Sequence, residues 1–144
     1  RIRIVQVRLL DGEGRERQQF RTGETLVVEM HYRAKERVER PVFGLAIHRS
    51  DGVHITGPNT HFAGLDIPVI EGEGIITYTI PALPLLEGLY YISVSAHNCE
   101  ETEMYDYHDR MYCFGVLPGA KERYGMITIE GSWKWNNGKK QDII

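Results

Sequence analysis

Acid and base groups gather in two stretches of this chain, Asp66 to Glu73 and Asp106 to Asp109. A hydrolase needs an acid/base pair or an activated nucleophile held at a fixed separation, and Asp66, Glu71, Glu73, Asp106, Asp109 and His108 are the groups that could supply one. All of them read as loop positions near glycine or tyrosine, the setting of solvated carboxylates. No Gly-x-Ser-x-Gly elbow or His-Glu-x-x-His pattern accompanies them. His108-Asp109-Arg110 is a single short cluster, and Cys99 and Cys113 joined by His97 and His108 match no familiar zinc spacing. No metal site and no cofactor is expected. Two thiols in a chain able to build a core make no disulfide framework, so both are expected free.

A second set of groups supports binding better than catalysis. In Pro41 to Arg49 the bulky Phe43, Leu45 and Ile47 share one face of an extended strand, and Gly44, Ala46 and His48 share the other. In Gly88 to His97, Tyr90, Ile92, Val94 and Ala96 alternate with Tyr91, Ser93, Ser95 and His97. If these strands pair, Gly44, Ala46, Ser93 and Ser95 floor a shallow trough, with Tyr91, His48 and His97 as its walls. Sugars suit such surfaces, because their C–H faces lie on aromatic rings while their hydroxyls bond short polar groups and imidazoles. Asn59 and Thr60, in the loop that opens at Gly57-Pro58, complete the candidate glycan-binding set. They also have the chemistry to hold their own loop through side-chain to backbone bonds.

The elements that must position these groups are strands. Ile2 to Leu10 alternates, ends at Asp11-Gly12-Glu13-Gly14, and is followed by a return segment, Arg15 to Phe20. Leu26, Val28, Met30 and Tyr32 take every second position of a half-buried strand. The mixed charges of Lys35 to Arg40 read as a solvated connection. Ser50-Asp51-Gly52 is the turn of a hairpin between Val42–Arg49 and a short strand near His54. Gly64 to Gly74 reads as loop, Ile75 to Ile80 as strand, Asn98 to Arg110 as polar loop and Met111 to Leu117 as strand. Pro118 to Arg123 reads as a linker before a final strand over 124–135, and 136–144 as a disordered tail. With turns about every ten residues and no helical period, the pattern predicts one all-β domain over 1–135, an antiparallel immunoglobulin-like or jelly-roll sandwich.

Composition narrows the function classes. A net charge of −3 and a pI near 6.1 give no general attraction to nucleic acid. No apolar run approaches the roughly 20 residues that span a bilayer. A domain of this length buries roughly 70% of its unfolded surface, enough for a core without staples.

Four stretches together carry a family resemblance: His48-Arg49-Ser50-Asp51-Gly52, Gly57-Pro58-Asn59-Thr60, Pro81-Ala82-Leu83-Pro84-Leu85-Leu86-Glu87-Gly88-Leu89-Tyr90, and Gly125-Met126-Ile127-Thr128-Ile129 through Trp133. Over nearly all of Ile2 to Trp135 the chain resembles the C-terminal carbohydrate-binding domain of the ATP-binding subunit of O-antigen polysaccharide ABC transporters, the Wzt type. The resemblance implies an immunoglobulin-like sandwich, a homodimer formed by exchange of the C-terminal strand, and recognition of the lipid-linked O-polysaccharide, often at its non-reducing end. It further implies a place on the cytoplasmic face of the bacterial inner membrane, beside the transporter membrane subunit. This chain has no phosphate-cradling Gly-x-x-x-x-Gly-Lys-Ser/Thr loop, the nearest approach being Gly138-Lys139-Lys140. An ATPase domain is therefore expected upstream, and the domain itself is expected to be no enzyme. An extracellular adhesion or structural sandwich and a carbohydrate-active enzyme are the alternatives from other classes.

Overall fold

The structure, a computed structural model, describes residues 1–136, 138 and 141–143. Its described residues form ten strands and no helix: β1 (Ile2–Leu10), β2 (Gln19–Phe20), β3 (Leu26–Glu39), β4 (Pro41–Arg49), β5 (His54–Thr56), β6 (Val69–Ile80), β7 (Gly88–Asn98), β8 (Met104–Val116), β9 (Lys134–Asn136) and β10 (Gln141–Ile143). A three-stranded sheet, β1-β3-β6, faces a five-stranded sheet, β2-β8-β7-β4-β5. In immunoglobulin terms β1, β3 and β6 take the places of strands A, B and E, and β4, β7 and β8 those of C, F and G. Every pair in the sandwich is antiparallel except β2 with β8, where Gln19 and Phe20 run parallel to Gly115 and Val116.

The period-two alternation places the core. Leu26, Val28 and Met30 of β3, Phe43, Leu45 and Ile47 of β4, and Tyr90, Ile92, Val94 and Ala96 of β7 are buried between the sheets with Ile2, Ile4, Phe20, Phe114 and Val116. Their removal from water is the main favourable term in folding. The turns follow the local chemistry. Gly52 takes the left-handed conformation (φ 93°), its N–H donates to Arg49 O at 2.8 Å, and Arg49 N–H donates to Val53 O at 2.9 Å. That is a tight turn closed by a bulged glycine.

Between β6 and β7 the chain crosses from one sheet to the other through Pro81 to Glu87, with Leu83, Leu85 and Leu86 buried. Tyr90, fully buried, donates its hydroxyl back to Leu86 O at 2.5 Å, the tyrosine corner of immunoglobulin-like sandwiches. Tyr90→Phe keeps the ring but leaves that carbonyl without its partner. The expected loss is about 1–3 kcal/mol, read as a lower urea midpoint at unchanged slope.

Several boundaries differ from the sequence expectations. The charged segment after Lys35 is not a connection: β3 continues to Glu39, because Ala34 and Val38 face the core across a bulge in the β6 pairing. β6 begins at Val69, within the expected loop. The expected polar loop 98–110 is largely strand, since β8 starts at Met104 and its polar Asp106 and His108 are partnered between the sheets rather than in a turn. The expected final strand over 124–135 does not form along its length. Ile127 bridges Leu85, Leu86 N–H donates to Met126 O at 2.8 Å, and Thr128 N–H donates to Pro84 O at 2.7 Å. Pro81 and Pro84 have no N–H with which to extend that ladder. The expected disordered tail, 136–144, lies in part outside the described residues. Within them β10 pairs antiparallel with β9, and Gly138 turns in the left-handed conformation with its N–H on Asn136 Oδ1.

Candidate functional site

β4 and β7 are central neighbours, and their register sets Val42 opposite His97, Gly44 opposite Ser95, Ala46 opposite Ser93 and His48 opposite Tyr91. Because Phe43, Leu45 and Ile47 occupy the core, these pairs stand on the outer face of the five-stranded sheet. Their small side chains leave a hollow of about 250 Å³, floored by Gly44, Ala46, Ser93 and Ser95 and flanked by His97, His54, Pro58, Asn59 and Tyr107. Its volume lies just under the roughly 300–1,000 Å³ of drug-sized pockets, which leaves room for about one sugar ring.

Gly44 is what lets the loop close over the sheet. A Cβ there would stand 3.1 Å from Ser95 Oγ and 3.3 Å from Asn59 Cβ. Without one, Asn59 bridges Gly44, Leu45 N–H donates to Pro58 O at 3.1 Å, and Thr60 N–H donates to Phe43 O at 2.9 Å. The loop's own side chains complete this pairing. Thr60 Oγ1 accepts from Phe43 N at 3.1 Å, and Asn59 Oδ1 accepts from Phe62 N at 2.8 Å. Asn59 nevertheless lines the hollow. Thr60 does not, and instead borders an apolar cleft of about 380 Å³ between the sheets with Phe43, Leu65 and Tyr78.

The imidazoles are oriented by backbone carbonyls. His97 Nδ1 lies 2.7 Å from Asn98 O, so Nδ1–H donates there and the neutral ring keeps Nε2 as an acceptor. His54 Nε2 lies 2.9 Å from Thr56 O, which leaves its Nδ1 free to accept. His48 stacks on His54 with ring centroids 4.9 Å apart, and its own Nδ1 is buried without a hydrogen-bond partner. Burial pushes the His48 imidazole below the ordinary histidine range; the Arg110 guanidinium and His54 add to this, and Asp109 opposes it. His48 and Tyr91 stand at the end of the hollow rather than in it.

Ser93 has a different part from the one its spacing suggests. It is only 3% exposed, and its Oγ accepts from Arg110 N at 2.8 Å. Opposite it β8 bulges: Ile92 pairs with Tyr112 and Val94 with His108, so Asp109, Arg110 and Met111 all face the single residue Ser93. Arg110 takes a left-handed conformation there (φ 51°). Beside the bulge Tyr107 donates its hydroxyl to Asp109 Oδ1 at 3.2 Å, and Arg110 Nη1 lies 3.2 Å from the same oxygen. Tyr107, His54 and Arg110 are the residues that sequence reasoning missed. The Tyr105/Tyr107 alternation was the available signal for β8, masked by the charges around it.

The carboxylates considered for hydrolysis do not converge. Asp106 Oδ2 accepts from Ile4 N at 2.8 Å and sits 3.3 Å from His108 Nε2, while His108 Nδ1 lies 2.7 Å from Tyr112 Oη. This group ties β8 to β1 between the sheets, away from the hollow. Glu73 pairs with Arg33 on the other sheet, and Asp66 and Glu71 are exposed. Cys99 and Cys113 are free thiols.

Comparison with known proteins places this geometry. The crystal structure of the C-terminal domain of wzt matches with a TM-score of 0.84 at 17% identity, over 94% of this chain and 84% of that one. A Bacteroides uniformis beta-glucuronidase matches with a TM-score of 0.50 at 15% identity, over 71% of this chain and 12% of that one, a likeness of fold alone. No curated protein sequence matches this one. The family model described as the Wzt C-terminal domain matches residues 1–129. The chain therefore belongs to the Wzt C-terminal domain family, the carbohydrate-binding domain of the ATP-binding subunit of O-antigen ABC transporters.

Proposed function

We propose that the hollow on the outer face of the five-stranded sheet binds the lipid-linked O-polysaccharide at its non-reducing end and so couples export to chain completion. One observation carries the reading: the bare floor of Gly44 and Ala46 meets the Ser95 hydroxyl, His97 and the half-exposed ring of Tyr107 within one sugar-sized depression. The flat floor admits a pyranose, Tyr107 offers its C–H face a ring to lie on, and Ser95 Oγ with His97 Nε2 presents a donor and acceptor to its hydroxyls. A wrong terminus would leave such groups unpaired, a loss of roughly 1–3 kcal/mol for each one buried.

The domain acts as a receptor and not as an enzyme in this reading, at the cytoplasmic face of the inner membrane, with the ATPase domain upstream and the membrane subunit as its neighbour. Two copies would present two hollows to a membrane-tethered ligand, so modest affinity per site suffices. The chain after Arg123 supports a dimer formed by strand exchange. Among the described residues its backbone hydrogen bonds to the body of the domain run through Met126 and Thr128, and it exposes Tyr124, Ile129, Trp133 and Trp135 to 90, 78, 83 and 59%. Apolar side chains so exposed mark an association surface.

The test is titration of the protein with O-polysaccharide from its own source, with and without the non-reducing terminal group. Loss of binding on removing that group establishes reading of the chain end. Equal binding moves recognition to the repeating unit, and no binding to either polymer overturns the glycan reading.

A further inference from the structure

We propose that the end of the hollow, where Arg110 and His48 stand beside its lining residues Ser93 and His54, selects an acidic sugar, taking a carboxylate or phosphate oxyanion carried by the bound residue. This deepens the reading above and rests on it.

The first observation is strain kept at a cost. A left-handed arginine in the middle of a strand is disfavoured against the extended form, because its Cβ crowds the following carbonyl, and conformations of this kind persist where the surroundings impose them, most often at binding sites. Here the imposing contact is the Ser93 hydroxyl, buried in the sheet and bonded to Arg110 N at 2.8 Å. The bulge turns Arg110 out of the ladder beside the hollow that Ser93 floors.

The second observation is unspent donor capacity. Arg110 meets Asp109 only through Nη1, so most of the five N–H donors of its planar fork are uncommitted among the described residues. That fork matches the two oxygens of a carboxylate or phosphate. The third is the imidazole stack, 4.9 Å between centroids, with His48 Nδ1 buried and unpartnered. Asp109 is the carboxylate that acts on this end of the hollow, and Arg110 and the Tyr107 hydroxyl already engage it. Arg49, next along β4, is paired with Asp51 in the hairpin turn.

Burial, Arg110 and His54 hold the free His48 imidazole below its ordinary range. A bound oxyanion opposes all three by favouring the charged ring. The complex therefore takes up a proton, and affinity rises as pH falls through the histidine range.

Histidine-ring NMR of the protein reads this directly, with glucuronic acid, glucose 1-phosphate and neutral methyl glucoside as probes at millimolar concentration. The acidic probes are expected to move the His48 and His54 signals with at least about tenfold higher affinity than the neutral one, and to tighten severalfold between about pH 7.5 and pH 5.5. Comparing uronate with phosphate separates the two sources of the oxyanion. Arg110→Gly, which suits the left-handed backbone, should melt no lower than the parent and lose the preference for acidic probes, and Arg110→Lys should recover part of it. Equal affinity for all three probes, or an acidic preference that survives Arg110→Gly, overturns the inference and leaves the hollow a glycan site. Silence of the His54 and His97 rings toward every probe and toward the polysaccharide overturns both readings.

Discussion

Tyr107→Ala is expected to weaken polysaccharide binding by about 10- to 100-fold while leaving the urea midpoint within about 0.5 kcal/mol of the parent. The ring is 54% exposed, so its removal leaves no cavity in the core. Its hydroxyl makes one hydrogen bond, to Asp109, which is itself exposed. What the substitution removes is the aromatic surface beside Ser95, its register partner, and a flat rigid ring there costs little conformational entropy on binding. Tyr107→Phe keeps the ring and should lose no more than a few-fold. Calorimetric titration with the polysaccharide separates the two variants. Parental affinity in Tyr107→Ala would remove the hollow from consideration as the sugar site.

The largest expected effect on stability comes from Phe114→Ala. Phe114 is 1% exposed, meets Phe20 edge-on at 6.0 Å between centroids, and stacks on Tyr90 at 5.5 Å. It joins the short parallel strand β2 to the tyrosine corner. Truncating such a residue removes its transfer free energy and leaves a cavity that β-sheets on both sides prevent from collapsing, a loss of about 3–5 kcal/mol. Against a total stability of about 5–15 kcal/mol for a domain, that is enough to populate the unfolded state near body temperature. Urea unfolding followed by tryptophan fluorescence measures it. A loss under about 1 kcal/mol would mean that Phe114 does not fill the space between these rings.

The two histidine-bearing strands show how far local pattern reaches. Alternation in Pro41 to Arg49 and in Gly88 to His97 already separates core side chains from the bare face, because side chains in a strand must alternate. If the strands pair, the trough follows from that alternation and needs only the register, which the structure supplies as Gly44 with Ser95 and Ala46 with Ser93. Elsewhere charge misled. Lys35 to Glu39 and Met104 to Arg110 are strands: the first carries its charges on an exposed face, and the second turns Asp106 and His108 inward, where Ile4 N–H and the Tyr112 hydroxyl partner them, so both have the composition of a loop.

Sequence alone determined the class of fold, the family, the hairpin at Asp51-Gly52 and which residues of β4 and β7 turn away from the core. These depend on turn chemistry and period, which are local. Only the tertiary structure decided that Ser93 positions Arg110, that Thr60 faces the apolar cleft, and that Tyr107 and His54 stand where walls were expected from Tyr91 and His48. A bulge three residues deep and a loop docked on Gly44 are set by pairing between strands far apart in the chain, and no local pattern encodes which residue a partner strand will meet.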